Sequence, residues 1–268
     1  MADQSQTICV GIDILTGRRP VTSVALDASM RLLAIGRGAI EDALAYVAGL
    51  KQAVVAINAP SHLNCGLASQ AGAQPQLPGL PARRGRNLRR VELELLQQGV
   101  SVSRTPDDEA DCPEWMRRGF SLYRYLDELG YTLYVAPLDG RQWIETHPDA
   151  AYWSLLEKPP VDGGLLEGRL QRQLLLFNQG LPVADPMDFF EEVTRHKVLQ
   201  GTLPFQNTLS TGELNAWVAA YTAWLAAHRP EQLHRMGDPQ EGQIFLPLPA
   251  DEKATRRPLH ELHFPNRS

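Results

Sequence analysis

Residues 7–15, TICVGIDIL, constrain the fold more than any other segment. The run is β-rich and nearly continuously apolar, the pattern of a central strand covered on both faces. Side chains alternate along a strand, so Ile8, Val10 and Ile12 share one face and Asp13 points away from it. Residues 21–26 and 31–35 follow after the short connections TGRRP and DASM and read as an antiparallel meander. Ile40, Leu44, Val47 and Leu50 then repeat at helical spacing, and AVVAI at 53–57 is another buried strand. The opening is therefore β-β-β-α-β, with its last strand parallel to the first. In that arrangement Asn58, from INAP, lies beside Asp13 at the carboxyl end of the sheet, where α/β proteins bind ligands. Locally, Asp13 also suits a turn before TGRR, and Asn58 a turn before Pro60.

Residues 61–85 form a long irregular insertion rich in Gly, Gln, Ala and Pro. It runs into five arginines within eight positions: Arg83, Arg84, Arg86, Arg89 and Arg90. A helix follows to about Gln98, stopped by Gly99, and a second spans 113–129 with Gly130 just past its end. RQWIET at 141–146 reads as the fifth strand. The rest reads as helices at 150–156, around 166–177, at 186–199 and at 210–228, then an edge strand, GQIFLPL. The expected architecture is one α/β domain over 7–248 with a helical C-terminal part, and a tail at 249–268.

With 43% hydrophobic and 21% charged residues, the chain is not of disordered or fibrous composition. A net charge of −5 gives no overall affinity for nucleic acid, so such binding needs a local patch. The apolar stretch at 216–227 is too short to span a bilayer, so no membrane is expected. Three scattered cysteines without a CxxC pair fit neither a zinc site nor a disulfide framework; a reducing, cytoplasmic compartment suits them.

Several residue types could carry chemistry. Glu145 and His147, in IETHP, are two apart at a strand end, and such a pair can bind a metal or exchange a proton. Glu92 and Glu94 follow the arginine run, where the plainer role is pairing with Arg89 or Arg90. Ser210 and Glu213 form a capping box, and Asn215 lies half a turn beyond. The arginines suit phosphate contacts or a solvated loop equally. No GxxxxGK[ST], GxGxxG after a strand, or GxSxG occurs.

These pieces in order resemble a family. GID, INAP, RRVELELLQQG, IETHPDAAYWSLL, GRLQRQLLL, ELNAWVAAYTAWL and GQIFLPL are similar to the family catalogued as domain of unknown function 429, regarded as predicted nucleases with a ribonuclease H-like fold. The resemblance covers roughly residues 7 to 248. It implies a five-stranded mixed sheet in the order 3-2-1-4-5 flanked by helices, and metal-dependent hydrolysis of nucleic acid. Asp13, Glu92 and Glu145 match the family's acidic positions as catalytic residues, Asp13 and Glu145 as ligands to magnesium or manganese. Arg86, Arg89 and Arg90 would hold the phosphate backbone. Three positions depart: Asn58 stands where the family usually has Asp, and Gly212 and Asn215 where it usually carries acids. The departures imply an alternative, a catalytically degenerate member that binds nucleic acid or protein.

Overall fold

The computed structural model describes residues 7–14, 20–71 and 88–249. The arginine run falls partly outside this set: Arg83, Arg84 and Arg86 are not among the described residues. The same holds for most of the proposed tail.

A mixed sheet forms the centre, built from β1 (Ile8–Asp13), β2 (Val21–Leu26), β3 (Leu32–Gly38), β4 (Ala53–Asn58), β5 (Thr132–Leu133), β6 (Arg141–Glu145), β7 (Leu233–Asp238) and β8 (Gly242–Pro247). The order is β3-β2-β1-β4-β6-β8-β7, with β5 beside β6. The β1–β2 and β2–β3 pairs are antiparallel, and β1–β4 and β4–β6 are parallel. Among the described residues there are eight strands, where the resemblance implies five and the residue pattern, with GQIFLPL, six. Two were missed for physical reasons. β5 has only two residues, and LHRMGD in β7 is polar because it lies at the sheet edge with half-exposed side chains. GQIFLPL, expected at an edge, is instead covered on one side by β7 and meets β6 on the other.

Alternation along the central strands feeds two cores. Cys9, Val54 and Ala56 pack beneath α9 (Thr211–His228). Val10, Ile12, Val55 and Ile57 pack against residues of α1 (Ile40–Ala48) and α4 (Glu114–Glu128). Burial on both sides explains the unbroken apolar run of β1. α9 crosses β1 at Gly11, where a Cβ would lie 2.1 Å from the Ala216 carbonyl oxygen and 2.2 Å from the Ala220 nitrogen. No other residue permits that approach, and almost every residue of α9 is buried as a result.

The remaining helices are α2 (Leu67–Ala71), α3 (Arg90–Gln97), α5 (Pro148–Leu156), α6 (Leu166–Asn178), α7 (Asp188–Glu192) and α8 (Arg195–Leu199). α2 lies within the stretch expected to be irregular. The single helix expected over 186–199 is two short ones. Val193 is extended, and the Thr194 hydroxyl caps α8 by accepting the Lys197 N–H. A β-branched pair with a capping hydroxyl favours a break over a continuous turn. Among the described residues, no helix is long and apolar enough to cross a membrane.

Candidate functional site

The carboxyl ends of β1, β4 and β6 open into a cleft of about 360 Å³. Asp13, Asn58, Asn215, Glu92, Glu145 and Arg89 all border it. They form two separate polar groups.

The first group centres on Asp13, whose side chain is fully buried. Parallel pairing of β1 with β4 sets Asp13 directly opposite Asn58. Asn58 Nδ2 donates to Asp13 Oδ1 at 2.5 Å. Asn215 Nδ2, brought over the strand by the close crossing at Gly11, makes longer contacts of 3.4 and 3.5 Å to the two carboxylate oxygens. Burial pushes the Asp13 carboxyl up to about 7, against the lowering effect of the two amide donors and with a further push from Asp149. Among the described residues, no arginine or lysine pairs with it.

The second group is a buried ion cluster. Arg89 is 1% exposed. Its Nε donates to Glu92 Oε1 at 2.9 Å, its Nη2 to Glu145 Oε1 at 2.5 Å and its Nη1 to Glu145 Oε2 at 3.0 Å. Glu92 also accepts the backbone N–H groups of Arg89 and Thr105, each at 3.1 Å, and the Thr105 hydroxyl. Glu145 accepts the Ser61 N–H at 2.8 Å and its hydroxyl at 2.7 Å. Burial alone would favour a neutral Arg89, but Glu145 and then Glu92 hold it firmly charged. Gly242 closes the cluster. It has φ +88°, and a Cβ there would lie 2.5 Å from Ser61 Oγ and 2.9 Å from Arg89 Nη1.

Strand alternation separates the two groups. Glu145 shares a strand face with Trp143, in the α1–α4 core, whereas Asp13 shares one with Cys9, beneath α9. The three acidic residues matched to the family thus border one cleft with different partners, Asp13 holding two amides and the glutamates Arg89. Arg89 points inward and spends its donors on glutamates and on the Glu241 carbonyl at 3.0 Å, rather than presenting them to a phosphate. Arg90 is exposed and pairs with Glu94 at 3.0 Å. Among the described residues, no three His, Cys, Asp or Glu side chains are grouped so as to hold a metal ion. Magnesium or manganese does not fit these donors. Asp13 faces amide N–H groups, and the two glutamates share the guanidinium of Arg89, which takes up oxygens from both.

His147 stands at the N-cap of α5, where its Nδ1 accepts the Ala150 N–H at 3.2 Å, which leaves the ring proton on Nε2. Burial lowers its pKa, opposed by Asp149 and Glu145. Glu213 and Ser210 make the reciprocal capping box, so Glu213 is committed to the start of α9. One residue of the site carries no local signal in the sequence. Glu241, fully buried in the turn between β7 and β8, accepts the N–H groups of Cys65, Leu67 and Arg90 at 2.8, 2.9 and 2.7 Å.

The chain is thus an α/β protein with a polar cleft at the carboxyl end of a mixed sheet. Its residues 11–241 match the family model described as Protein of unknown function (DUF429), and the chain belongs to that family. No curated protein and no solved structure matches it.

Proposed function

We propose that this chain is a ribonuclease H-like member of its family that binds nucleic acid without metal-dependent cleavage of it. One observation carries the proposal. Two of the positions where the family usually carries acids hold Asn58 and Asn215, and both amides turn their N–H groups to Asp13. A hard divalent cation needs several negatively charged or carbonyl oxygens aimed at one point. A single carboxylate clamped by two donors, beside glutamates already paired with Arg89, is a poor substitute. The β-β-β-α-β opening with β4 parallel to β1 supports the ribonuclease H-like fold. The basic residues Arg83, Arg84, Arg86 and Arg90, with no acidic residue between Val54 and Arg90, support a nucleic-acid partner.

Thermal melts with manganese or magnesium, run beside a nuclease assay on single- and double-stranded substrates, test this. The expected result is no shift at millimolar metal and no cleavage, with salt-sensitive binding of oligonucleotide. A metal-dependent rise in melting temperature that Asp13→Asn abolishes, together with cleavage, would establish the active nuclease instead.

A further inference from the structure

Three features of the cleft go unused by phosphate binding. Trp115, near the start of α4, borders it and is half-buried, packed on the cluster of Cys112, Met116 and Phe120. Among the described residues its indole stacks on no ring and its Nε1 has no partner. Asn58 and Asn215 give their N–H groups to Asp13, which leaves both Oδ1 atoms without a donor among the described residues. Ser101 and Ser103, on the exposed segment after α3, bring two hydroxyls to the same cleft. Among the described residues its floor offers no free arginine or lysine, since Arg89 is consumed by Glu92 and Glu145.

A floor of acceptors and neutral hydroxyls does not select an anion. It selects a neutral ring with polar N–H groups along its edge. The part of the Trp115 indole left bare by the two apolar clusters it packs on supplies a stacking surface for the flat face of that ring, and about 360 Å³ accommodates one base with its sugar. Proteins that take a base out of its strand read it in this way, by stacking and by hydrogen bonds to its edge.

Resting on the proposed function above, we propose that this cleft is a nucleobase site, with the ring of an unpaired nucleotide stacked on Trp115 and its edge hydrogen-bonded to Asn58 and Asn215. Acceptor oxygens from two amides favour a base with adjacent N–H donors, so guanosine is expected to bind best among the common nucleosides.

Titration calorimetry with guanosine, adenosine, cytidine and uridine, and separately with inorganic phosphate, tests the site. A short single-stranded oligonucleotide distinguishes a free nucleoside from a base within a strand. Saturable nucleoside binding is expected, weakened about tenfold or more by Trp115→Ala and by Asn215→Ala, and largely kept by Trp115→Phe. Melting curves establish that each variant is folded. If Trp115→Ala is not, Trp115→Phe and Asn215→Ala decide. Absence of nucleoside binding at millimolar concentration overturns the site. So does binding indifferent to these substitutions, or phosphate binding as tight as that of the nucleosides. Failure here with no effect of manganese removes only the base site, whereas stabilisation by manganese removes the non-hydrolytic function beneath it.

Discussion

Asn215 on α9 reaches Asp13 on β1 across 202 positions of sequence, at 3.4 Å, because Gly11 lets the helix lie directly on the strand. Small size at residue 11 is thus a requirement of the site as well as of the core. Gly11→Ala is expected to cost about 3 kcal/mol or more, as overpacking against backbone that cannot give way. Chemical denaturation measures it. A variant within 1 kcal/mol of wild type, by the same scale, would mean that the helix does not seat as described.

Asp13 should make stability fall as pH rises. Its carboxyl titrates at about 7 in the folded protein but near 3.8 when unfolded, so between these values the folded state holds more protons. The native state is therefore penalised progressively from about pH 4 upward, with the full penalty of a few kcal/mol reached above pH 7. Asp13→Asn removes the charge. Relative to wild type, it should gain stability at pH 8 and change little at pH 4. His147, whose pKa is lowered, acts with the opposite sign as pH falls, so the difference between variant and wild type isolates Asp13. Parallel pH–stability curves for the two proteins would reject the raised pKa of this buried carboxylate.

Arg89 and Arg90 are neighbours with opposite fates. Arg89→Ala strands two buried carboxylates and is expected to cost about 3–5 kcal/mol. Arg90→Ala removes a side chain that is 52% exposed, and should cost under about 1 kcal/mol. Under salt titration, Arg90→Ala should shift oligonucleotide binding, with a reduced slope of affinity against salt. Comparable stability losses at the two positions would contradict the geometry.

Asn58→Asp with Asn215→Asp should restore what the family's acidic positions imply. Without metal, three carboxylates crowd one another and the melting temperature falls. With manganese the loss should shrink or reverse, since each new carboxylate adds a charge that attracts a hard cation. Equal shifts with and without manganese would show that these positions are not remnants of a metal site.

Much of the architecture is written in local pattern. Unbroken apolar runs mark β1 and β4, Gly99 and Gly130 mark helix ends, and Ser210 with Glu213 announces α9. These signals are short-range, and so they survive in a single sequence. The ion cluster does not. Arg89 looks like one of a solvated basic run, yet Glu145, 56 positions away, draws it inward. Its pairing with Glu92, three residues on, was legible, but not that the pair would be buried. Whether Asn58 starts a turn or clamps a carboxylate likewise depends on register, which the parallel β1–β4 pairing sets.

Glu241 has a consequence for the order in which the protein is made. Its carboxylate gathers N–H groups that precede it by 151, 174 and 176 residues. Contacts so distant in sequence are the slow ones to form. A nascent chain that has emerged only through α9 already carries Arg89, Glu92 and Glu145, but not the group that pins their segment down. Until the β7–β8 turn leaves the ribosome, that corner stays open to chaperones and proteases. Loss of Glu241 should therefore show first as poor yield in cells, ahead of any change in the protein that does survive.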